Sequence, residues 1–162
     1  MTKRTSLPLA RFVWLFLLFS SSRFHASAAP AGELKIQAKL VWATNEQKPA
    51  DKKLTELETK LTEKLRRVFK WKNYFEVSHQ NAVIVQSPAK KLTMSSKCEV
   101  ELRKIDDATI EVKLYGEGKL LKTDKHPIKS LLQGEYYILA GDDKEKYDDA
   151  WFVVFACADP GK

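Results

Sequence analysis

The chain has 162 residues, 30% charged and 44% hydrophobic, with a formal net charge of +7 and two cysteines. That length holds one domain and can bury roughly two thirds of its unfolded surface, so neither a multidomain machine nor a disulfide-dependent mini-scaffold fits. Much of the charge excess sits in residues 1–28, which carry Lys3, Arg4, Arg11 and Arg23 and no acidic side chain, leaving 24 basic against 21 acidic residues and +3 for residues 29–162. So modest an excess argues against a nucleic-acid binder.

The first elements in chain order are a targeting signal. Lys3, Arg4 and Arg11 precede the apolar run FVWLFLLF (12–19), and HASAA (25–29) offers small residues at an A-x-A-like site. This is the pattern of a secretory signal peptide cleaved after Ala28. The run is too short for a membrane span, which needs about 20 residues, and no later segment is more apolar. The expectation is an exported protein, periplasmic or extracellular, whose mature single domain is 29–162.

The stretch ELKIQAKLVWATN (33–45) alternates, with Leu34, Ile36, Ala38, Leu40 and Trp42 on one side, and predicts a half-buried strand. Pro49 breaks it. From Asp51, a candidate N-cap, Leu54, Leu57, Leu61, Leu65 and Val68 recur at steps of three and four, the stripe of an amphipathic helix. Arg66, Arg67 and Lys70 complement the negative end of its dipole.

The remainder reads as strands. NYFEVSH (73–79) and AVIVQS (82–87) form a candidate hairpin around Gln80-Asn81, and Pro88 with the lysines after it makes a loop. KCEVELRKI (97–105) and TIEVKLY (109–115) form a second hairpin. An antiparallel index sum of 214 places Cys98, Val100 and Leu102 on the same face as Ile110, Val112 and Leu114. It also opposes Glu101 to Lys113 and Arg103 to Glu111 and leaves Asp106-Asp107-Ala108 as the loop. GEG (116–118) marks another turn before KLLKT, and SLLQG (130–134) is a short piece of undecided type. EYYILAG (135–141) and AWFVVFACA (150–158) are the last strands, both apolar on both faces. The fold class is therefore α+β: one amphipathic helix packed on a predominantly antiparallel, strongly curled or two-layered sheet of about seven or eight strands. The strand–helix–strands order resembles the cystatin-like domains, but their Q-x-V-x-G inhibitory loop is absent, since QNAVIVQ (80–86) lacks the glycine.

Chemistry-bearing residues are sparse. Cys98 and Cys157 occupy apolar strand positions, where they would be either buried thiols or the two ends of a disulfide closing 59 residues. His79 and His126 lack any nucleophile signature around them. The loop GDDKEKYDDAW (141–151) is acidic, without the D-x-[DN]-x-[DN]-G spacing of a calcium loop. KLRRVFKWKNYF (64–75) interleaves basic and aromatic residues, which helical phase and the dipole explain, with Val68 and Phe69 turned inward. No cofactor, metal or catalytic residue is implied. The reading is an exported non-enzymatic module that binds another envelope or extracellular protein or serves a structural role. The alternative is a small-ligand carrier whose pocket, between helix and sheet, is lined by Trp42, Trp71, Tyr136 and Trp151.

Overall fold

The computed structural model describes residues 32–50, 53–140 and 149–159. The signal peptide, the Asp51 cap and most of the acidic loop lie outside those residues. Among the described residues the secondary structure is mostly antiparallel strand with few helices, in two sheets. Nine strands and two helices occur, more than the sequence reading expected.

β1 (Leu34–Thr44) is the central strand of the larger sheet. It pairs on one side with β3 (Asn73–Ile84) and on the other with β9 (Asp149–Cys157), all antiparallel. β2 (Thr55–Glu56) extends the sheet beyond β3, and β8 (Tyr137–Ala140) closes it beyond β9, giving the order β2-β3-β1-β9-β8. The expected hairpin at Gln80-Asn81 does not form. β3 runs straight through both residues, because β1 offers eleven residues of ladder and the pair carries no turn-forming glycine. An irregularity between Leu40 and Val41 absorbs Val77 as an extra residue.

The smaller sheet has the order β4-β5-β6-β7, from β4 (Lys90–Thr93), β5 (Cys98–Lys104), β6 (Thr109–Gly116) and β7 (Lys119–Pro127). Its β5–β6 hairpin has the register read from sequence: Cys98 opposes Gly116, and every pair down to Lys104–Ile110 keeps the sum of 214. Lys113 reaches Glu101 at 3.0 Å and Arg103 reaches Glu111 at 2.7 Å across the wet face. Glu117 and Gly118, at φ 50° and 77°, form the two-residue left-handed turn into β7. α2 (Ile128–Leu132) follows, burying Ile128 and Leu131.

The two sheets pack face to face. Ile36, Ala38, Leu139, Val153 and Phe155 of the larger sheet meet Val100, Leu102, Ile110 and Val112 of the smaller in one core. The other face of the larger sheet carries α1 (Thr59–Val68), whose Leu61 and Leu65 cover Val41, Ala43, Phe152 and Val154. Both faces of β9 are thereby accounted for: Val153 and Phe155 point to the second sheet, Phe152 and Val154 to the helix. Each such side chain contributes about 1.5–3 kcal/mol on burial.

The helix is shorter than its sequence stripe. Leu54 and Leu57 precede it, flanking the two-residue β2. Extended chain sends an odd spacing to opposite faces. Leu54 accordingly packs on Trp42 and Phe75 on the inner face, while Leu57 joins the helix-side core. Val68 is not a core residue; it is 69% exposed.

Candidate functional site

The residues expected to share a pocket are divided by the larger sheet. Trp42 and Trp151 lie on its inner face, stacked with ring centroids 5.9 Å apart. Trp42 is buried and donates from Nε1 to Asp149 at 2.9 Å, whereas Trp151 is 49% exposed. Trp71 lies on the helix side against Phe69, 5.9 Å between centroids. Tyr136 lines a groove, beside residues the sequence reading left out.

That groove runs between α1 and β8 and encloses about 370 Å³, open to solvent along its length. Leu61, Lys64, Arg67 and Val68 form the helix wall, and Glu135, Tyr136 and Ile138 the opposite one. Leu61 and Leu65 fix the helix by burial, which leaves the next positions on the β8 side, Lys64 and Val68, over the groove. Tyr136 and Ile138 are turned to it by strand alternation, since Tyr137 and Leu139 point into the sandwich core. Tyr136 Oη donates to Glu58 Oε1 at 3.2 Å, and Lys64 Nζ stands 5.0 Å over its ring. Burial, together with Glu58, raises the Tyr136 phenol above the ordinary tyrosine range. β8 is an edge strand of the larger sheet, so the outer side of its backbone pairs with no other strand among those described.

The other titratable groups serve structure. His126 lies on β7, stacked on Tyr137 at 4.2 Å between centroids, and Tyr137 Oη donates to Asp124 at 2.7 Å. These contacts join the two sheets at the β7–β8 side. Burial lowers the His126 pKa, against smaller opposing effects of Asp124 and Glu135. Ser130 Oγ lies 2.9 Å from His126 Nε2, but it also donates to Pro127 O at 2.9 Å. With its one proton directed there, Ser130 accepts from Nε2–H, the tautomer that offers no base to the hydroxyl. His79 lies within β3, its Nδ1 2.6 Å from Glu76, which also meets Lys39 at 3.1 Å.

Cys98 and Cys157 are both free. Cys157 lies level with Ile36 of β1, whereas Cys98 adjoins Met94, which Ser78 contacts at the level of Leu40. Four residues of strand, about 13 Å, separate those levels. Burial pushes the Cys98 thiol up to about 11, which leaves little reactive thiolate. No cluster of three or more metal-ligating side chains occurs among the described residues, and no described helix is long and apolar enough to cross a membrane.

The groove's missed residues had one sequence signal. Lys64 and Val68 lie one helical step beside the Leu61–Leu65 stripe, a flank that helical phase identifies but whose neighbour it does not. Comparison of the chain with protein-family models, with curated proteins and with solved structures gave no match in any of the three.

Proposed function

We propose that the chain is an exported, non-enzymatic protein-binding module that docks an extended segment of another envelope or extracellular protein in the groove between α1 and β8. The observation carrying this reading is the juxtaposition of a sheet edge with an apolar-floored groove. An added strand would satisfy the outer backbone groups of Tyr137–Ala140, and its side chains would enter the groove at every second position. The alternative, a small-ligand carrier, is less well supported. A volume of about 370 Å³ falls within the usual range for ligand sites, but such sites enclose most of the ligand, and this groove is open along its side.

The experiment is site-specific photocrosslinking in the native host. A photoreactive amino acid at Val68 should capture a discrete protein from the exported fraction, whereas one at Lys91, on the wet face of the smaller sheet, should not. Equal capture at both positions, or none at Val68, would refute the assignment.

A further inference from the structure

We infer that the segment taken by this groove is acidic, with carboxylates at alternate positions. The inference rests on the docking reading above and adds the partner's chemistry. Residues 60–72 hold Lys60, Lys64, Arg66, Arg67, Lys70 and Lys72 against Glu63 alone, a net charge of +5. Residues 29–162 together carry +3, so everything in that span outside this stretch sums to −2. This helix and the turn that follows it form the most basic stretch, ahead of residues 119–129, where Lys119, Lys122, Lys125 and Lys129 stand against Asp124 for a net +3.

None of those six cations forms an ion pair among the described residues, and Lys119, Lys122 and Lys125 of β7 form none either, whereas several lysines and arginines of the other strands are paired with carboxylates. Lys39 meets Glu76 at 3.1 Å, Lys91 meets Glu99 at 2.6 Å, and the β5–β6 ladder pairs Arg103 and Lys113. The helix dipole accounts for Arg66 and Arg67 in the last turn. It does not account for Lys60, which lies in the first turn, where a cation is unfavourable and where no acidic residue occurs.

Helical phase places the charge. With Leu61 and Leu65 facing the sheet, steps of 100° carry Lys60, Lys64, Arg67 and Val68 to the flank turned toward β8. Lys64, Arg67 and Val68 line the groove together with the carboxylate of Glu135, and Glu58 accepts from Tyr136 beside it. A strand added along β8 presents every second side chain to this flank and the others to the sandwich side. Carboxylates at those alternate positions meet Lys64 and Arg67, and an apolar side chain among them meets Val68 and Ile138. The concave shape, with a strand edge as one wall, favours a peptide over a flat lipid surface or a nucleic acid, although both are polyanions.

The test selects phage-displayed random decapeptides on the chain 29–162, with recovered peptides mapped by amide shifts of the ¹⁵N-labelled protein. The expected result is enrichment of Asp and Glu at alternate positions, with shifts at Tyr137–Ala140. The double variant Lys64→Glu/Arg67→Glu should weaken those peptides about tenfold and turn selection toward Lys and Arg. Lys119→Glu/Lys122→Glu on β7 should change neither. Both positions of the groove variant are exposed, and an unaltered circular dichroism spectrum shows that it folds. Groove-bound peptides without acidic enrichment would overturn this inference and leave the docking reading standing. Failure of every peptide to shift β8 would overturn both. Binding to phosphatidylglycerol vesicles or to single-stranded oligonucleotides, lost in the groove variant while acidic peptides fail to bind, would assign the basic flank to those polyanions instead.

Discussion

Truncating leucines along the stripe 54–68 separates the structure from the simple amphipathic helix that the sequence suggests. On that simpler reading Leu54, Leu57, Leu61, Leu65 and Val68 share one buried face, and each truncation costs alike. In the structure Leu61 and Leu65 are fully buried and Val68 is 69% exposed. Leu61→Ala removes about three carbons' worth of transfer energy, roughly 2.4 kcal/mol, plus a cavity term that brings the loss to about 3–4 kcal/mol. Val68→Ala removes little burial, and alanine's better helix propensity returns about 0.5 kcal/mol, so its net effect is near zero. Leu54 packs with Trp42 and Phe75 on the opposite face of the sheet from Leu61. The Leu54→Ala/Leu61→Ala double should therefore be additive within about 0.5 kcal/mol, while Leu61→Ala/Leu65→Ala, sharing one void, should not. Urea unfolding followed by tryptophan fluorescence reads this directly. At an m value of about 2 kcal/mol/M, Leu61→Ala lowers the midpoint by roughly 1.5–2 M. A Val68→Ala loss as large as that of Leu61→Ala would refute the placement of α1, and with it the groove.

The lowered His126 pKa means that the folded state resists protonation there. Stability should be unaffected above the ordinary histidine pKa and fall as pH drops through it toward the lower folded value; urea midpoints between pH 7.5 and about 5 should show a decline that His126→Gln flattens. Gly118, at φ 77°, has open space around its missing Cβ, so Gly118→Ala should cost about 1–2 kcal/mol from backbone strain alone, read as a shift in thermal midpoint. The half-buried pair Lys113–Glu101 should give a double-mutant coupling of about 0.2–1 kcal/mol that shrinks in high salt. With its thiol near 11, Cys98 exposes about one thiolate in a thousand at pH 8, so a thiol reagent should react slowly with the native chain and rapidly in urea.

What could be read from the sequence follows the range of the interactions involved. The β5–β6 hairpin is local: three loop residues join it, and two opposed charge pairs with two apolar triplets admit one register. β3 is not local. Its partner β1 lies about forty residues earlier, so nothing within 73–84 says whether Gln80-Asn81 turns or continues. Leu54 and Leu57 misled for a different reason. Their spacing of three fits a helix by period, and a strand that sends the two side chains to opposite cores leaves the same trace in sequence.

The groove was hidden by the same limit. Its helix wall could be located by phase alone, because Lys64, Arg67 and Val68 stand beside the Leu61–Leu65 stripe whatever the helix packs on. Its other wall exists because β9 spends its second edge on β8, and β8 pairs with no further strand among the described residues. Strand order is decided by the pairing of β9 with β1, more than a hundred residues apart in the chain. On the docking proposal the site is a strand edge made of backbone, which every residue carries, so its sequence signature is reduced to the charges around it. Here that trace is the basic run 60–72, whose cations form no ion pair among the described residues. The helix dipole explains Arg66 and Arg67 in the last turn, and the proposed acidic segment along β8 would meet Lys64 and Arg67.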